Sequence, residues 1–147
     1  MSDRKIQLFL YGSVINLEVL QEAGLRKRAF APASIVGYEL RIQPVANLLE
    51  SGDGIVFGIL SNFTHKEIEK LMHGHTAALT ETIYSPEPVI VHTRGGKIVP
   101  ALTYMADEMP SGRATKDYIN SILKAAKSYG FPSSYLDHIK SFCPRKS

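Results

Sequence analysis

The sequence predicts an α+β domain, a small mixed β-sheet curled toward a barrel with flanking helices. Apolar, β-branched runs crowd the first two thirds of the chain, and its two longest helical patterns follow one another at the C-terminal end. Between them strand and helix do not alternate in the regular way that a doubly wound parallel sheet needs. Five or six short strands without an obvious long edge are most economically closed on themselves.

Residues 6–10 (IQLFL) are nearly all apolar, as in a strand covered on both faces. Tyr11-Gly12-Ser13 interrupts them, and Asn16 then stands before LEVLQEAGL, where it is expected to cap a short helix ending at Gly24. FAPASIVGYELRIQPV reads as one or two bent strands and ANLLESGDG as a loop. IVFGIL is a further buried strand, with a bulge or a close backbone approach expected at Gly58. THKEIEKLM has the capping-box spacing Thr64 to Glu67 and puts Ile68, Leu71 and Met72 on one helix face. HGHTAALTETIYSPEP reads as a loop. PVIVHT and IVPALTYMA flank Arg94-Gly95-Gly96-Lys97 as a hairpin. A helix over residues 115–129 puts Tyr118, Ile119, Ile122, Leu123 and Ala126 on one side and stops at Gly130, and SSYLDHIKSF forms the last helix behind a Ser cap.

The 147 residues are 44% hydrophobic and 21% charged, which fits one domain, 1–147, with a single core. No window approaches the roughly 18 apolar residues of a membrane span, and the N-terminal apolar stretch is too short for a signal peptide, so a cytoplasmic protein is expected. The lone Cys143 excludes an internal disulfide and a cysteine-based metal site. The net charge of +3 comes from scattered Lys and Arg; the densest run, Arg26-Lys27-Arg28, has no interleaved aromatics and reads as solvated surface, not as a nucleic-acid site.

Tyr11-Gly12-Ser13 leaves a central strand for a helix, where unpaired backbone N–H groups favour an anion such as a carboxylate. On the triplet alone an ordinary β-to-α turn is the favoured reading. No P-loop and no dinucleotide glycine fingerprint is present. His73-Gly74-His75 lacks the third ligand of a zinc site, and no His pairs with a nucleophile motif. Carboxylates are left as acid/base candidates: Glu81 and Glu87 flank Tyr84, and a glutamate buried in a pocket can shuttle protons near neutrality.

The order LFLYGS, ASIVGYELRI, ANLLESGDGIVFGIL, THKEIEKL, IYSPEPVIVHTRGGKIVPALTYMADE and PSGRATKDYINSILKAAKSYGFPSSYLDHI resembles the γ-glutamylcyclotransferase-like (AIG2-like) family over most of the chain. The resemblance implies a small barrel with a pocket at one end. The turn at Tyr11, Gly12, Ser13 and Val14 would hold the substrate's α-carboxylate through backbone N–H groups, while Asn47, Tyr84 and Tyr118 fall at loop and pocket positions. Tyrosines at strand starts and on a helix's buried face are also ordinary core residues with a satisfied hydroxyl. One glutamate would move protons as the substrate's own amine attacks its γ-carbonyl, releasing 5-oxoproline and an amine without metal or cofactor.

The family's L-D-x-x-E-G is absent, however. Four residues past Leu71 stands His75, so either Glu81, through a shifted register, or His75 would be the proton-moving residue. The expected partner is a small molecule with a free carboxylate, and neither nucleic acid nor membrane. The alternative is a catalytically impaired member that binds a small carboxylate or amino-acid-like ligand.

Overall fold

A computed structural model describes residues 5–16, 20 and 21, 30–42, 45–71, 84–106 and 113–143, and of Ser13 the backbone only. Strand β1 (Lys5–Leu10) runs into a 3₁₀ turn (Gly12–Ile15); β2 (Ala31–Ile42) and β3 (Ala46–Thr64) follow, then helix α1 (His65–Glu69), β4 (Ser85–Thr93), β5 (Ile98–Met105), α2 (Lys116–Ser128) and α3 (Ser133–Lys140). The strands close into a barrel in the order β1-β3-β2-β4-β5, antiparallel except where β1 meets β5 in parallel at Leu8–Leu102. Leu8, Phe9 and Leu10 are all buried, as the unbroken apolar run of β1 requires, whereas β4 alternates Val89 and Val91 inward with Ile90 and His92 outward.

The helices start and stop where local chemistry dictates. Thr64 and Glu67 form the complete capping box, each side chain accepting from the other's backbone N–H. Thr115 caps α2, whose buried face carries Ile119, Ile122, Leu123, Ala125 and Ala126. Gly130, at φ +72°, ends it: its N–H donates to Lys127 O (3.1 Å) and Phe131 N–H donates to Ala126 O (3.2 Å), a Schellman pair. Phe131 then packs with Phe57, Tyr129 and Tyr135, seating α2 and α3 on β3.

Some expectations are corrected. ANLLESGDG is not a loop but part of β3, which holds its pairing with β2 on both sides of a bulge: Val36 opposes Ile55, Tyr38 opposes Glu50, and residues 51–54 bulge out opposite Gly37. Gly54 makes this possible, since a Cβ there would meet Tyr38 O at 2.1 Å. At Gly58 the close approach is the right alternative, because the ladder runs through it unbroken and a Cβ would meet Leu10 O at 2.1 Å. The residues SPEP belong to β4, paired with β5 from Ser85 onward. Helix α3 has Pro132, not a serine, at its N-cap and no side-chain cap: the fixed proline φ of −56° sets its entry. The expected helix beyond Asn16 is described only at Leu20 and Gln21, with Leu20 N–H donating to Asn16 O (3.2 Å). Gly24, the Arg26-Lys27-Arg28 run, Met72, His73, His75 and Glu81 lie outside the described residues.

Candidate functional site

The site begins where β1 ends. Gly12 has φ +69°, in the left-handed region that disfavours side chains, and a Cβ there would lie 2.4 Å from the Cβ of Ala46. Both requirements select glycine. The chain then tightens into the 3₁₀ turn, in which the first three N–H groups have no acceptor within the turn itself. Val14 and Ile15 anchor that turn in the core. Asn16, also buried, donates its amide Nδ2 to Ser121 O (3.2 Å) and Oγ (3.1 Å), and Tyr129 OH donates to Ile15 O (3.1 Å), so α2 and its C-cap hold the turn from behind.

Ala46, at the start of β3, is the hub opposite Gly12. Its N–H donates to Tyr118 Oη (3.0 Å), from the first turn of α2, and its carbonyl accepts from Tyr84 OH (2.6 Å), just before β4. The Tyr118 hydroxyl also lies 3.9 Å from where a Gly12 Cβ would be. Of the expected site residues, the structure therefore brings together Gly12, Tyr84 and Tyr118, with Tyr11 adjoining. Asn47 sits beside them, but its amide is held by backbone on both sides: Nδ2 donates to Ala106 O and Oδ1 accepts from Ala106 N–H, both at 2.9 Å. It behaves as a strand partner that fixes the end of β5. Tyr11 is buried and donates to Tyr104 O (2.6 Å).

The phenols share one electrostatic environment. Burial pushes the Tyr11 hydroxyl well above its ordinary pKa, and the neighbouring Tyr84, Tyr118 and Tyr135 add to the shift. Burial, then Tyr118, raises Tyr84 in the same way. Tyr11 and Tyr84 are thus neutral hydrogen-bonding groups at physiological pH and cannot serve there as proton acceptors. No Asp or Glu among the described residues is buried, and Glu87 is exposed on β4. The described residues contain no cluster of three or more His, Cys, Asp or Glu able to hold a metal, and no helix long and apolar enough to cross a membrane. Sequence reasoning missed Ala46, whose role rests on its main chain and its small size and so leaves no side-chain signal.

A closed five-stranded barrel with flanking helices, its β1 turn packed on Ala46 at Gly12, has the γ-glutamylcyclotransferase-like fold. The sequence profile of the AIG2-like family matches residues 55–139, more than half of the chain, and the protein belongs to that family. No curated protein matches the sequence. Among solved structures, a γ-glutamyl cyclotransferase is similar with a TM-score of 0.77 at 21% identity, over 98% of this chain and 91% of that one. YkqA from Bacillus subtilis has a TM-score of 0.77 at 22% identity, over 97% of this chain and 56% of its own. A yeast γ-glutamyl cyclotransferase specific to glutathione has a TM-score of 0.65 at 13% identity, over 96% of both chains. What these three share with the present chain is the fold.

Proposed function

We propose that this protein, as a single domain working in the cytoplasm, is a γ-glutamylcyclotransferase-like enzyme acting on a γ-glutamyl or related aminoacyl derivative of a small amine or peptide. The observation that carries the reading is the convergence of Gly12, Ala46, Tyr84 and Tyr118. A main-chain turn anchored from behind packs on Ala46, whose N–H and carbonyl are held by the hydroxyls of Tyr118 and Tyr84. In this reading the N–H groups of Tyr11, Gly12, Ser13 and Val14 hold the substrate's free carboxylate. The substrate's α-amine attacks its own γ-carbonyl, the γ-amide C–N bond breaks, and Glu81 or His75 carries the proton lost by the attacking amine to the departing one. The products are 5-oxoproline and an amine. Since the nucleophile belongs to the substrate, orientation and proton transfer suffice, with no metal or cofactor.

The second reading, a binder of a small carboxylate or amino-acid-like ligand that no longer turns over, is favoured by His75 standing where the family carries its glutamate. One experiment separates them: a panel of γ-glutamyl amines and dipeptides, with 5-oxoproline followed by mass spectrometry and thermal shift in parallel. Product from at least one compound, abolished by Glu81→Gln or by His75→Ala, supports the enzyme. A shift that grows as RT ln(1 + [L]/Kd) without product supports the binder. Neither product nor shift refutes both.

A further inference from the structure

The outer wall of the barrel carries an aliphatic stripe unrelated to the Gly12 site. Val36 on β2 opposes Ile55 on β3, and Ile90 on β4 opposes Pro100 on β5. Continuing the Ala33–Thr93 and Ser34–His92 register brings Val36 level with Ile90, so the four side chains form a row across four strands, with Ile98 two residues from Pro100 on the same face. The exposures are 57% for Val36, 44% for Ile55, 55% for Ile90 and 65% for Ile98; of the exposed large hydrophobics among the described residues, only Leu49 lies outside this stripe. The ladder between β2 and β4 consists of the two pairs just named, and beyond it the strands part around a groove of about 450 Å³. Val36, Tyr38, Pro88 and Ile90 form its walls, and the buried Val89 and Ala101 its floor.

We propose that this face is the contact surface of a two-fold symmetric homodimer in which Ile98 of each copy enters the groove of the other. Three features point to a second copy. First, knob and groove lie in one patch, which is what an isologous contact requires. Second, half-exposed aliphatic residues of this number offer on the order of 400 Å² of apolar surface, as large as the biggest patch of a typical monomer. A dimer face of about 800 Å² per partner, slightly more than half of it apolar, needs about that much. Third, opposite charges flank the stripe along its strands: Lys97 precedes Ile98 on β5, while Glu39 follows Val36 on β2 and Asp53 precedes Ile55 on β3. A two-fold axis through the groove sets each Lys97 toward the partner copy's acidic end. An inserted peptide strand fits less well, because Pro86 and Pro88 remove donors from the β4 edge along the seam.

Sedimentation velocity over a hundredfold range of protein concentration tests this, with Val36→Glu and Ile98→Lys as variants; both side chains are exposed, and an unchanged circular-dichroism spectrum verifies the fold. The wild type is expected to dimerise, each variant to raise the dissociation constant at least tenfold, and an equimolar mixture of the two to restore a dimer, because residue 36 of one copy meets residue 98 of the other. A wild type that stays monomeric at the highest concentration overturns the proposal. So do a dimer indifferent to both substitutions and a mixture that stays monomeric.

Discussion

Gly12→Ala is the most informative single substitution, because the structure separates its cost into two parts. The backbone at φ +69° is left-handed, and placing an L side chain there costs about 1–2 kcal/mol. The new methyl would lie 2.4 Å from the Ala46 Cβ, far inside van der Waals contact, and overpacking of this kind costs about 1–3 kcal/mol. The sum is about 2–5 kcal/mol, equivalent to a fall in Tm of roughly 5–15 °C for a domain of this size. Gly130→Ala is the control: it has the same sign of φ, at +72°, but nothing lies within 4 Å of the point its methyl would occupy, so only the backbone part applies. Equilibrium urea unfolding of Gly12→Ala, Gly130→Ala, Ala46→Gly and the Gly12→Ala/Ala46→Gly double variant resolves the parts. The Ala46→Gly background should rescue the overlap part of the Gly12 substitution and leave the backbone part. If Gly12→Ala costs no more than Gly130→Ala, or if Ala46→Gly gives no rescue, the close packing of the turn against β3 is wrong.

Further outcomes follow from the same geometry. Tyr118→Phe removes the acceptor of the Ala46 N–H and should cost about 1–3 kcal/mol, while Tyr84→Phe removes a donor from the Ala46 carbonyl and should cost about 1 kcal/mol; urea unfolding of both and of the double variant should show coupling through their shared residue. Thr64→Ala breaks the capping box and should lower stability by about 1 kcal/mol by the same assay. The buried phenols of Tyr11, Tyr84 and Tyr135 have folded pKa values raised above the unfolded value of 10.0, so the folded state keeps protons that the unfolded state loses. Their contribution is therefore fully present below pH 10 and is lost as the pH rises above it, by up to ~1.4 kcal/mol per pH unit for each phenol. Unfolding midpoints measured on both sides of pH 10 should fall together with the delayed appearance of phenolate absorbance.

Signals contained in a few adjacent residues were legible in the sequence. Thr64 with Glu67, Gly130 after an amphipathic run, and the Gly95-Gly96 turn each fix a local conformation whatever surrounds them. What the sequence concealed depends on distant partners. SGDG has the composition of a turn, yet it lies within β3 because Gly54 packs onto the Tyr38 carbonyl. The prolines of SPEP argue against a strand, yet β4 accommodates them because β2 has left that side of the seam. The tyrosines were visible as residues, but not their meeting on Ala46, because a main-chain clamp demands only that its residue be small. The two halves of the proposed reaction differ in the same way. A carboxylate held by backbone N–H groups constrains little beyond Gly12 and Ala46, so that half can persist while most side chains change. Proton transfer rests on one side chain, which a single substitution can move or remove. In this chain the change from the family pattern falls on that half, between Leu71 and Tyr84, so under the proposed function substituting Glu81 and His75 together should abolish turnover of a γ-glutamyl compound and leave its thermal shift in place.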